Sequence, residues 1–178
     1  MSRIGRLPIP LVSSVKISIT ASEVSIQGPR GALTHALPRG ITADVDDSRI
    51  VVRRSNDSKP QKALHGLVRS LLANAVHGVT KGFEKRLEIH GVGYSAEVKG
   101  KRVDFKLGYS HLVTFAIPEG IAVKVERNLI TVSGHDRQQV GQVSAEIRSL
   151  RRPDVYKLKG IRYADEILRK KAGKAAGK

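Results

Sequence analysis

The chain has 178 residues, 40% of them hydrophobic but only 4% aromatic, and 32 Lys+Arg against 16 Asp+Glu leave a net charge of +16. It has no cysteine, which excludes disulfides, thiolate nucleophiles and zinc sites built on sulfur. Cations in such excess favour a polyanionic partner, because each phosphate neutralised releases condensed counterions, and no stretch approaches the roughly 20 apolar residues that span a bilayer.

Residues 1–14 hold Arg3, Arg6, Pro8 and Pro10 without a clear period and read as an extended arm. The two prolines also make this a poor signal peptide, so a cytoplasmic protein is expected. Val15, Ile17 and Ile19 alternate with polar residues as in a half-buried strand, and Val24 and Ile26 repeat the pattern. Gly28-Pro29-Arg30-Gly31 is a turn by composition. Strand signals return at Ile41 to Val45 and at Ile50-Val51-Val52, joined by a tight hairpin at Asp46-Asp47-Ser48. Ser55 to Ser58 offer helix caps and Pro60 suits a first helical turn. Leu64, Leu67, Val68, Leu71, Leu72, Ala75, Val76 and Val79 then follow at helical spacing, one apolar face to be buried on a sheet. Gly78 and Gly82 close that helix and set a domain boundary nearby.

Strands resume with Leu87 and Ile89, then Gly91-Val92-Gly93, Tyr94, Ala96 and Val98. After a hairpin turn at Gly100-Lys101 come Val103, Phe105 and Leu107, then Leu112, Val113, Phe115 and Ile117. Beyond Pro118-Glu119-Gly120, Val123 and Val125 mark a strand and Leu129 to Val132 another. Asp136 can cap a second helix whose Val140, Val143, Ile147 and Leu150 share one face.

The two halves echo each other. Pro38-Arg39-Gly40-Ile41 matches Pro118-Glu119-Gly120-Ile121, and Ile50-Val51-Val52 matches Ile130-Thr131-Val132, both offset by 80 positions. Arg69-Ser70-Leu71 matches Arg148-Ser149-Leu150 at an offset of 79. The spacing implies an internal duplication and an α+β fold: two domains, each a β-sheet packed against one main helix. The expected bounds are 1–82 for the first domain with its arm, 83–150 for the second, and 151–178 for a basic extension.

That extension carries ten cations against three acids, a net of +7, whereas residues 83–150 net only +2. Its core is Arg151-Arg152-Pro153-Asp154-Val155-Tyr156-Lys157-Leu158-Lys159-Gly160-Ile161-Arg162-Tyr163. Pro153 disfavours helix before it, and Gly160 permits a positive φ. The expected result is an extended, kinked segment outside both sheets. Its cations suit phosphates, and its rings can lie against exposed bases. Tyr156 can either stack on RNA or anchor the loop to the second domain. Arg169-Lys170-Lys171-Ala172-Gly173-Lys174 has the composition of a tail that orders on RNA. Residues 1–82 also net +7, spread over three times the length.

Catalytic constellations find little support. The histidines at 35, 65, 77, 90, 111 and 135 show no His-x-x-x-His spacing, so no metal is expected. His111 and His135 read as polar surface groups, or as RNA contacts if neighbouring loops are. Gly91-Val92-Gly93 lacks the third glycine of a dinucleotide fingerprint and is followed by strand rather than helix. Ser95, Ser110 and Ser133 have no nucleophile-elbow context. A protein without cofactor or enzymatic activity is expected.

Pro153 to Tyr163 resembles the signature of the bacterial large-subunit ribosomal protein six family, usually Pro-Glu/Asp-x-Tyr-Lys-Gly-Lys-Gly-Ile-Arg-Tyr. The chain departs from it at Leu158, where the family has glycine or alanine. Ser2-Arg3-Ile4-Gly5-Arg6 with Pro8-Ile9-Pro10, Gly28-Pro29-Arg30-Gly31, Gly91-Val92-Gly93-Tyr94 and Leu107-Gly108-Tyr109-Ser110-His111 are similar to that family too. So is the stretch from Gln142 to Leu150. The resemblance implies the same duplicated architecture and a structural, ribosome-associated role. It also implies contact with 23S rRNA beside the sarcin–ricin loop and the factor-binding site. Neighbouring large-subunit proteins, elongation factors and A-site tRNA would then lie close by. The residues expected to meet rRNA are Arg151, Arg152, Tyr156, Lys157, Lys159, Arg162, Tyr163, Arg169, Lys170 and Lys171, with Arg3, Arg6 and His111. The alternatives are a basic nucleic-acid-binding module outside the ribosome and an RNA-modifying enzyme without a recognisable motif.

Overall fold

The structure, a computed structural model, describes residues 4–46 and 48–173. Ser2, Arg3, Asp47 and Lys174 of the sequence analysis lie outside the described residues. The chain divides into two units. One runs to Gly82 and takes in His135–Arg137, and the other holds Phe83–Gly134 and the chain from Gln138 onward.

In the first unit, alternation of apolar and polar residues makes six short strands. They are β1 (Ile9–Pro10), β2 (Lys16–Ile19), β3 (Glu23–Gly28), β4 (Gly31–Ala36), β5 (Ile41–Asp46) and β6 (Arg49–Arg54). They form two antiparallel three-stranded sheets, ordered β1-β6-β5 and β2-β3-β4. The inward residues Val24, Ile26, Ile41, Ala43, Ile50 and Val52 meet Val68, Leu72, Ala75, Val76 and Val79 of helix α1 (Lys59–Thr80). Two sheets per unit, not one, share the helix.

Three local expectations are corrected here. The amino-terminal arm is partly a strand, since Ile9 pairs with Ile50 and is buried. Arg69 on α1 holds the residues before it by donating to the Leu7 carbonyl at 3.0 Å. Leu67 does not join the buried face: it lies about 100° round the helix from Val68 and is 53% exposed. His65 is buried instead, its Nε2–H donating to the Val52 carbonyl at 2.9 Å while Nδ1 accepts from Arg54. Ser58 stands at the helix N-cap without a side-chain capping bond.

The second unit repeats the plan with β7 (Phe83–His90), β8 (Ser95–Lys99), β9 (Arg102–Lys106), β10 (Val113–Ala116), β11 (Ile121–Glu126), β12 (Leu129–Gly134) and helix α2 (Arg137–Leu150). The offset of 80 holds down to the pairing register. Ile41 faces Arg54 and Val45 faces Ile50 in one unit, as Ile121 faces Gly134 and Val125 faces Ile130 in the other. Val140, Val143 and Ile147 of α2 close the second core with Leu87, Ile89, Val103, Phe105, Leu107, Ile130 and Val132.

The repeats differ at the edge of one sheet. The second unit has a further strand, β13 (Gly160–Tyr163), on the edge of its sheet, giving the order β11-β12-β7-β13. Gly160 pairs with His90 and Ile161 with Ile89, and Ile161 is fully buried in the core. The expectation that everything beyond Leu150 lies outside the sheets is therefore corrected. The extension leaves α2, turns, and returns to finish the sheet.

Candidate RNA interface

Three segments of the second unit meet at the end of its sheets: the β7–β8 loop (Gly91 to Tyr94), the β9–β10 loop (Leu107 to Leu112), and Arg151 to Lys159. Local chemistry shapes each. Leu107 is buried and anchors the second loop, whose Gly108 has φ +75, and a Cβ there would stand 2.9 Å from the Tyr94 ring. Tyr94 thus fills the space that Gly108 leaves empty and ties the first two loops together. The Tyr109 hydroxyl donates to the Leu150 carbonyl at 3.0 Å, joining the second loop to the third segment.

The third segment is a closed turn. Asp154 Oδ2 accepts the Lys157 N–H at 3.0 Å, and the Asp154 carbonyl accepts the Leu158 N–H at 2.8 Å. Closure puts Leu158 at φ +57, a left-handed conformation in which a side chain is strained. The departure from the family signature thus falls where a glycine would relieve the backbone. The turn ends at Gly160, φ +147, where a Cβ would come within 2.7 Å of the Arg152 carbonyl. Its other side is tied by Lys171, whose N–H donates to the Val155 carbonyl at 2.9 Å.

The turn presents Arg152, Tyr156 and Lys157 to solvent, with Lys159 half-buried. Tyr156 is 51% exposed, so its ring does not anchor a core. Arg151 is half-buried with its guanidinium 4.8 Å from the centre of the Tyr109 ring. His111 is exposed and stacks on Tyr109. Arg169, Lys170 and Lys171 are exposed along the returning chain.

Two expected contacts are engaged within the protein. Arg162 donates from Nε at 3.0 Å and Nη2 at 2.8 Å to Glu88 Oε2 on β7. Tyr163 is half-buried, with Lys85 Nζ 5.0 Å and the Arg148 guanidinium 5.7 Å from its ring centre. Arg148 also grips Glu166 through two bonds, at 2.9 and 2.5 Å. Hydrogen bonds from His90 and then Arg162 hold the Glu88 carboxyl below its ordinary value, and Arg148 does the same for Glu166. These pairs neutralise cations that the sequence shows as free charge. Arg6 belongs to the first unit, exposed beside a cleft of about 350 Å³ with Pro8, Asp46, Arg49 and Val51.

Tyr109 and Tyr94 were not among the expected contacts, although both organise the site. The sequence does carry the pair, with Tyr109 and His111 two residues apart in one loop. Among the described residues no group of three or more His, Cys, Asp or Glu could hold a metal ion. No helix among them is long and apolar enough to cross a membrane. The arrangement offers cations, flat rings and a rigid turn, which suits binding of a phosphate backbone.

Comparison with known proteins agrees with that chemistry. The family model described as Ribosomal protein L6 matches residues 12–82 and again 90–164, one match per repeat. The chain is similar over its full length to proteins named large ribosomal subunit protein uL6. It is 49% identical to that of Syntrophomonas wolfei and 50% identical to that of Rippkaea orientalis, covering 100% of each. With that of Nitratidesulfovibrio vulgaris it shares 47% identity, covering 99% of it.

Proposed function

Because the chain belongs to the ribosomal protein L6 family, we propose that it is a non-catalytic structural constituent of the large ribosomal subunit, binding 23S rRNA through the loop cluster of its second unit. The observation that carries this reading is the turn from Arg151 to Lys159. It displays Arg152, Tyr156 and Lys157, while its one acid, Asp154, accepts the Lys157 N–H from within. The local field is thus positive, and the backbone is set before RNA arrives. Phosphates would meet Arg152, Lys157 and Lys159, with Arg169, Lys170 and Lys171 in the segment that follows β13. Arg162 and Tyr163 would act indirectly, by fastening β13 so that the turn keeps its shape.

Paired RNA would be recognised by shape, through phosphates and 2′-hydroxyls across the minor groove. Arg3 and Arg6 would supply a second contact from the amino-terminal arm. A place beside the sarcin–ricin loop and the factor-binding site follows from the family resemblance. Elongation factors and A-site tRNA would then pass close to the protein, and other large-subunit proteins would be neighbours.

Co-sedimentation tests the proposal. The chain should travel with large subunits through a high-salt wash and stay off small subunits. Release from the large subunit at moderate salt would instead favour a basic nucleic-acid-binding module outside the ribosome.

A further inference from the structure

The β9–β10 loop has a feature that phosphate binding does not require. Tyr109 and His111 lie ring to ring, centroids 6.1 Å apart and planes within 19° of parallel, with the Arg151 guanidinium over the Tyr109 ring. The stack is fixed from several directions. Tyr109 is held by its hydroxyl on the Leu150 carbonyl, the loop is anchored by buried Leu107, and Gly108 sits against Tyr94. The Tyr109 ring is therefore ordered during folding, and a ligand would not have to order it on binding. His111 is exposed and extends this flat surface into solvent.

We propose that the His111 ring, backed by Tyr109 and Arg151, is a stacking platform for an unpaired base of the bound RNA. This rests on the RNA-binding function proposed above and adds that the site takes a splayed-out nucleotide as well as phosphates. Every base has a π-face, so such a platform binds without choosing sequence. Bases inside a duplex have both faces covered by their neighbours and cannot use it. Arg151 supplies positive charge under the stack, favourable to a nucleotide whose phosphates lie alongside.

Two RNA probes separate this from general RNA binding: a single-stranded oligoribonucleotide carrying a fluorescent aminopurine, and a blunt duplex of equal length. The full-length protein should quench the aminopurine, and H111F should do so too. H111A should weaken the single-strand complex about tenfold, the scale of one lost base–aromatic stack, and leave duplex affinity within about twofold. Equal losses on both probes, or full quenching by H111A, would overturn the platform while leaving the RNA-binding function intact. If the unaltered protein bound neither probe, the RNA-binding function would fail and the platform with it.

Discussion

The Tyr109 hydroxyl donates to the Leu150 carbonyl at 3.0 Å, linking residues 41 positions apart and seating the β9–β10 loop on the carboxy-terminal end of α2. The last carbonyls of a helix lack intrahelical donors, so this bond satisfies an acceptor as well as joining two loops. It is also what brings Arg151, the next residue, to the face of the Tyr109 ring.

Tyr109→Phe keeps the ring and removes only the donor. A loss of about 1 kcal/mol in stability is expected, the usual net value of one such bond, together with weaker binding to rRNA fragments. Urea unfolding followed by circular dichroism would measure it. An unaltered midpoint with unaltered RNA affinity would show that the loop is positioned without this bond.

Ile161 is fully buried in the second core, beside Ile89 of β7, although it lies in the basic extension. Ile161→Ala should cost about 2–5 kcal/mol, from lost transfer energy and the cavity left behind. Truncation after Leu150 should be worse, since it also strips Glu88 and Arg148 of their partners Arg162 and Glu166. Amide protection in β7 reads both changes. A truncated chain that kept full protection there would show β13 to be dispensable.

Leu158 holds φ +57 in a turn closed by Asp154. Leu158→Gly exchanges left-handed strain of about 1–2 kcal/mol for the roughly 0.5–1 kcal/mol of extra chain entropy that glycine loses. A small stabilisation, at most about 1.5 kcal/mol, is expected. Leu158→Val should be clearly destabilising, because a β-branched residue resists that conformation. Thermal melts of the pair would settle the sign, and a more stable valine variant would count against strain at this position.

Acid should loosen the second unit through two carboxylates. Glu88 and Glu166 both have pKa values lowered in the folded state from an ordinary 4.5, by His90 and Arg162 for the first and by Arg148 for the second. A depressed carboxyl pKa gives stability that is fully present above the unfolded value and is lost as pH falls through the folded one. Glu166→Gln should therefore be destabilising at pH 7, with the gap from the parent protein closing as pH drops below about 4. Denaturation midpoints across pH 3–7 would test this, and a gap that stayed constant would assign the effect to packing.

Much of the architecture was legible in the sequence. Strand alternation at Val24 and Ile26, at Ile41 to Val45 and at Ile50 to Val52 maps onto β3, β5 and β6. The offset of 80 anticipates the matched registers of β5–β6 and β11–β12. Such signals are local: an alternating segment has one apolar side wherever it lies, and an amphipathic helix must bury its stripe. Strand β4 gave a weaker signal, because its Leu33 shares its side with His35 rather than with a second large apolar residue.

What composition could not reveal is which cations are spent inside the protein. Arg162 and Glu88 are 74 positions apart, and only the pairing of β13 with β7 sets them face to face. The same pairing turns Ile161, one apolar residue among cations, into part of the core. Charge, periodicity and repeat spacing are properties of neighbours along the chain, so the sequence alone determined the duplicated α+β plan and the basic character of the end. Which charge stays exposed, and which aromatic ring lies ready beside it, depends on residues brought together across the sheet. A cation's free energy is decided by its nearest carboxylate and its access to water, and both are set by the tertiary fold.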